Sequence, residues 1–265
     1  LWTILEKYDR VIIAEDLYSG TATLINDFQE RMPVWVDVVD TRDPQNVAKL
    51  IRPNTKLILF ETISNPRIWA TDIQTVSKIA HETKSLVAVD NTFCTPLLCN
   101  PLDLGADFVI HSTTKAITGH GDTGGGVIVF NDSRWIEQIT KTRTLWGTIQ
   151  KPFDCWLHLN ELRTINERVA QQVASAEELA LKLVGHPKVE RVFYPGLASY
   201  PQRAVVEKQM TADGAMMAFT IKGNLAEAKK FLKALKLITI AVSTGSIDSL
   251  IQIPAIITHR PDREF

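Results

Sequence analysis

Lys115 follows three hydroxyl residues, Ser112, Thr113 and Thr114, and leads into a loop dense in glycine, 119–126. A lysine amine condenses with an aldehyde to a Schiff base, and Ser and Thr hydroxyls can donate to a phosphate beside it. Two other readings of the stretch compete. Gly119, Gly121 and Gly124 satisfy G-x-G-x-x-G, the spacing that seats a dinucleotide pyrophosphate on a helix N-terminus. That fingerprint requires a strand directly before the glycines and a helix opening from them. Here residues 115–118 intervene and the apolar, largely β-branched run 127–130 follows, so the context does not fit. The plainer alternative is a solvated turn whose hydroxyls cap backbone groups.

The elements that would position Lys115 are short apolar runs separated by polar loops and amphipathic helices. Residues 10–14, 34–39, 56–61, 86–89 and 108–110 read as strands, with helices over 43–50 and 71–82 between them. Pro44 sits near the first helical position, where its missing N–H costs nothing. This alternation specifies an α/β domain with a mostly parallel sheet covered on both faces. Ligands of such sheets bind beyond the carboxyl ends of the strands. Tyr18, in the turn 15–21, then follows the first strand, Glu61 and Asn65 the third, Asp90 the fourth, and 112–115 the fifth. Four strand ends bring chemistry to one edge. Residues 153–183 read as one long connecting helix, followed by a smaller α/β unit with strands over 216–221 and 237–242 and a helix over 225–235. The expected domains are 1–150, 151–184 and 185–265.

The chain has 265 residues, 45% of them hydrophobic, enough for a large core. A net charge of −1 provides no field for nucleic acid or an anionic membrane, and no apolar run has the length of a membrane span. Cys94, Cys99 and Cys155 form no C-x-x-C pair and no zinc-like spacing with the six histidines, so no metal site is expected. They read as buried, reduced thiols of a cytoplasmic protein. A start at Leu1 without methionine suggests a fragment or a processed form.

Pyridoxal 5′-phosphate (PLP) chemistry needs a lysine for the aldehyde, a carboxylate for the pyridine nitrogen, an aromatic face over the ring and donors around the phosphate. Lys115, Asp90, Tyr18 and Ser112 with Thr114 supply one of each. At these residues the sequence resembles the Cys/Met-metabolism PLP enzymes, the family of cystathionine γ-lyase, methionine γ-lyase and cystathionine γ-synthase. The block from Val87 to Lys115 looks like that family's VDNTF…P…GAD…HS-T-TK pattern. DLYSGT, ISNP, HPKVERVFYPGL and AVSTGSIDSLIQIPAIITH match its other signatures in order.

The resemblance implies an aminotransferase-like, fold type I architecture. It implies that Lys115 binds the cofactor aldehyde and shuttles protons, that Asp90 pairs with the pyridinium nitrogen, and that Asn65 bonds the phenolic oxygen. Ser112 and Thr114 would hold phosphate, Tyr18 would stack on the ring and protonate the γ-leaving group, and Ser243 would lie near the substrate carboxylate. The implied activity is γ-elimination from a sulphur amino acid such as cystathionine or methionine. Alternatives are γ-replacement on an activated homoserine, or an inactive, structural relative. A homotetramer, a dimer of dimers with shared sites, is the implied assembly. The pattern is altered at Ala116, where the family has a large residue, and at Asn160-Glu161, in place of Arg-Gly. The family's phosphate-binding loop with the tyrosine and arginine that reach the neighbouring subunit would precede Leu1. Its arginine for the substrate carboxylate would follow Phe265.

Overall fold

The computed structural model of the protein describes residues 1–257. Its main sheet begins with β1 (Arg10–Ala14), α1 (Ser19–Arg31), β2 (Trp35–Val39), α2 (Pro44–Leu50) and β3 (Thr55–Glu61). It continues with α3 (Ile73–Glu82), β4 (Leu86–Asp90), α4 (Thr95–Leu98), β5 (Phe108–Ser112) and β6 (Gly126–Val129). The strand order is β2-β1-β3-β4-β5-β6, with β6 antiparallel to β5 and every other pairing parallel. The direction of winding reverses between β1 and β3, which opens a crevice outside their carboxyl ends.

Helices cover both faces of the parallel strands, so β3 and β4 read as continuous apolar runs rather than alternating ones. Ile12, Ile58, Phe60, Val87 and Val89 are buried at the centre. Asp43 caps α2 by accepting from the Gln45 amide, and Asp72 caps α3 by accepting from the Thr75 amide. Register matters most at the strand ends. Glu61 and Asp90 are the last residues of β3 and β4 and lie directly opposite one another.

The rest of the chain comprises α5 (Arg134–Trp146), α6 (Pro152–Glu161), α7 (Ile165–Val184), β7 (Val189–Phe193), α8 (Arg203–Gln209) and β8 (Ala218–Ile221). After these come α9 (Leu225–Ala234), β9 (Thr239–Ile240), β10 (Leu250–Ile251) and α10 (Pro254–Ile257). β7 pairs antiparallel with β8, and β9 pairs parallel with β10.

Four expectations need correction. The turn expected over 15–21 is shorter, because α1 opens at Ser19 and buries Ala22, Ile25 and Phe28. The single helix expected over 153–183 is broken by a 3-10 turn at Leu162–Thr164. There the Glu161 carbonyl accepts from Thr164 Oγ1 and Arg168 Nη2. The strand expected over 237–242 contracts to the two residues of β9. Cys94 and Cys99 are buried, but Cys155 is exposed on α6. Thr258 and His259, which close the last matching block, and the expected domain end at Phe265 lie outside the described residues.

Candidate functional site

At the carboxyl edge of the parallel strands lies a cavity of about 380 Å³. Tyr18, Asn65, Asp90, Ser112, Thr114, Lys115 and Ser243 all line it, so every candidate residue named from the sequence meets in one place. Glu61, Thr92, Phe93 and Gln252 complete much of the wall.

The positions follow from the strand ends. Asp90 terminates β4, accepts the Thr92 amide at 2.9 Å on Oδ1, and forms no ion pair among the described residues. Burial pushes its carboxyl above the ordinary aspartate value, while the Thr92 hydroxyl and amide pull it back in part. Thr92 Oγ1 also accepts the Ser112 amide at 2.9 Å, tying the end of β5 to Asp90. A buried carboxylate with this support and no cation is suited to a protonated ring nitrogen.

Glu61 terminates β3 and bridges the switch-point crevice. Its Oε1 accepts the Tyr18 amide at 2.6 Å and its Oε2 the Asn65 amide at 3.0 Å. Tyr18 is thereby fixed just before the first turn of α1, its ring about half exposed beside the cavity. Asn65 enters a cis peptide bond with Pro66. Burial, followed by the nearby Asp90 charge, raises the Glu61 carboxyl well above its ordinary range. Two carboxyl groups this close oppose joint ionisation.

Lys115 Nζ donates to Ser243 Oγ at 2.8 Å. Burial lowers the amine's pKa, which enlarges the neutral, nucleophilic fraction. Ser243 adopts a left-handed backbone with φ of +85°, rare for a serine and a sign that its loop is held from outside. Thr114 Oγ1 accepts the Gly125 amide at 3.0 Å. Thr113 turns away from the cavity, its Oγ1 lying 3.3 Å from His158 Nε2. The glycines of 119–126 do not line the cavity. A Cβ at Gly119 would lie 1.8 Å from Arg168 Nη1, and one at Gly125 would lie 2.7 Å from Thr113 Oγ1. Their closeness serves packing of the loop behind Lys115.

Residues 1–264 match the Cys/Met metabolism PLP-dependent enzymes. The chain belongs to that family. It is 42% identical over 265 residues to L-methionine gamma-lyase of Treponema denticola, covering 98% of this chain and 66% of that protein. It is 38% identical over 258 residues to cystathionine beta-lyase of Coxiella burnetii, covering 97% and 67%. Cystathionine gamma synthase of Xanthomonas oryzae pv. oryzae, solved in complex with cystathionine, superimposes with a TM-score of 0.94 at 37% identity, covering 97% of this chain and 66% of that one. The architecture is accordingly that of the fold type I PLP enzymes. The chain spans about two thirds of the length of these relatives.

The residues fit the family's cofactor. A half-buried amine, a buried carboxylate without a cation among the described residues, a ring beside the cavity and hydroxyls at the end of β5 form a donor set for an aldehyde, a pyridine nitrogen and a phosphate. Sequence reasoning placed Thr92 with Asp90 at the end of the fourth strand but missed its link between Asp90 and the Ser112 amide, the Glu61 clamp on the Tyr18 and Asn65 amides, and Gln252. Thr92 had a signal, since an Asp accepting from the amide two residues on is a common turn device. Gln252 had none.

Proposed function

We propose that the protein cleaves a carbon–sulphur bond at Cγ of a sulphur amino acid such as methionine or cystathionine, using PLP. The observation that carries this reading is the Lys115 amine, facing Ser243 in the same cavity as the Asp90 carboxylate, which has no ion-pair partner among the described residues. When bound, PLP supplies an electron sink for charge that develops at the substrate's Cα. Lys115 holds the aldehyde and, once the substrate amine has displaced it, takes a proton from Cα, passes it to the cofactor, and then takes one from Cβ so that the sulphur can leave Cγ. Asp90 holds the ring nitrogen in its protonated form. Asn65 donates to the phenolic oxygen, and Ser112 and Thr114 donate to phosphate. Tyr18 covers the ring and protonates the departing sulphur. Ser243 accepts from the Lys115 amine while that amine is free of the aldehyde, and it stands near the substrate carboxylate. Similarity to methionine gamma-lyase and cystathionine gamma synthase supports these roles.

The same wall suits γ-replacement, and similarity to the cystathionine-bound synthase favours that second reading. Supplying the full-length protein with methionine or cystathionine, and separately with an activated homoserine and a thiol, distinguishes the two. Release of an α-keto acid without added thiol supports elimination. Thioether formation that requires both co-substrates supports replacement. Failure of both reactions with bound cofactor supports the inactive relative.

Self-association through the β6, α5 and α6 side completes the proposal, with sites shared between copies in a dimer of dimers. Val127, Ile128, Trp146, Phe153, Trp156 and Leu159 are all exposed there, an extent of apolar surface uncommon on monomers. No helix among the described residues is long and apolar enough to cross a membrane.

A further inference from the structure

Lys115 belongs to neither a strand nor a helix, so its direction depends on what grips the turn behind it. α7 provides two grips. Arg168 Nη1 donates to the Ala116 carbonyl at 2.8 Å, and Nη2 donates to those of Ile117 at 3.1 Å and Glu161 at 2.9 Å. Nε donates to Thr164 Oγ1 at 3.1 Å. The planar fork is thus spent on the two residues that follow Lys115 and on the end of α6. Four residues on, and so on the same helix face, Gln172 Nε2 donates to the Ser246 carbonyl at 3.0 Å and the Gly245 carbonyl at 3.3 Å. That second loop carries Ser243, the acceptor for Lys115.

The two loops also meet directly. The Ile247 amide donates to the Gly119 carbonyl at 2.8 Å. A Cβ at Gly245 would lie 2.5 Å from the Ala116 backbone nitrogen, and Gly245 adopts a φ of +76°. Only glycine permits this approach.

We propose that Arg168 and Gln172 are positioning residues that lock the turn after Lys115 to the loop carrying Ser243, fixing the amine toward the cavity. Its catalytic consequence rests on the reading of Lys115 as the cofactor lysine; the locking itself concerns this chain alone. Releasing either loop opens the half-buried amine further to water. The burial that lowers its pKa is then relieved, and its titration moves up toward that of a free lysine.

The test follows Lys115 in the full-length protein without cofactor, by NMR of ¹³C-methylated lysines, with its resonance assigned by loss in Lys115→Ala. Arg168→Lys keeps the charge without the fork, Gln172→Met keeps the length without the donor, and Gly245→Ala forces the loops apart. Each should raise the Lys115 midpoint and weaken PLP binding about tenfold, the effect of one lost hydrogen bond to a charged or strained group. Gln171→Ala, on the exposed face of α7, should change neither. Folded Arg168→Lys and Gln172→Met proteins with an unchanged Lys115 midpoint overturn the proposal. If Arg168→Lys fails to fold, Gln172→Met decides by the same criterion. A raised midpoint in a protein that never binds PLP supports the locking and removes the cofactor reading.

Discussion

The inner parallel strands of the main sheet, β1 and β3 to β5, and the segment from β6 through α6 are neighbours built to opposite rules. In β3 six of seven residues are buried, whereas all four residues of β6 are exposed and α5 buries none of its thirteen. The second region still has apolar side chains, with Phe153 and Trp156 stacked at 5.8 Å and Trp2 and Trp146 at 5.2 Å. The parallel strands use apolar surface to fix the positions of Glu61, Asp90 and Ser112 at their ends. The β6–α6 segment presents apolar surface outward, toward the assembly proposed above.

The comparison breaks first at its most buried point. Phe60→Ala, at a wholly buried residue of β3, should cost about 3–5 kcal/mol of stability in denaturant unfolding, whereas Trp156→Ala on α6 should stay within about 0.5 kcal/mol for the isolated chain. Equal losses would mean that the two regions do not differ in kind. A second test sharpens the contrast. Trp156→Glu with Leu159→Glu should lower the oligomeric mass in sedimentation velocity at unchanged unfolding of the monomer. An unchanged assembly would place the interface elsewhere.

A third test concerns the seam between β5 and β6. His111, buried on β5 opposite Val127 of β6, has its pKa lowered to about 4, chiefly by burial, with a hydrogen bond involving the Asn91 backbone opposing the shift. A histidine with a depressed native pKa favours folding above its ordinary value of about 6.5 and loses that contribution as pH falls toward the native value. Stability should therefore decline between about pH 6.5 and 4. His111→Phe should flatten that decline in pH-dependent unfolding curves; an unchanged slope would assign the decline to other groups.

The same contrast explains what the sequence disclosed. Buried strands such as 10–14 and 56–61 carry their own signal, because burial on both faces demands unbroken apolar runs. Tyr18, Asn65, Asp90 and Lys115 followed, since each stands at or just beyond a strand end. α1 was missed although Ala22, Ile25 and Phe28 have helical spacing, because the turn signal of Ser19 and Gly20 masked its start. α5 gave little pattern, as a helix without a buried face has none to show. The break between α6 and α7 depends on Arg168 reaching the Glu161 carbonyl, a contact that no local pattern encodes. The Glu61 clamp was hidden for the same reason: its partners lie 43 positions before it at Tyr18 and four after it at Asn65.

The central claim is that Lys115 is the residue that joins the cofactor. Titrating the full-length protein with PLP and recording its visible absorption tests this directly, with Lys115→Ala measured alongside. The account predicts a visible band of lysine-linked cofactor that Lys115→Ala abolishes. A protein that stays colourless in excess PLP, or a band that survives in Lys115→Ala, would contradict it.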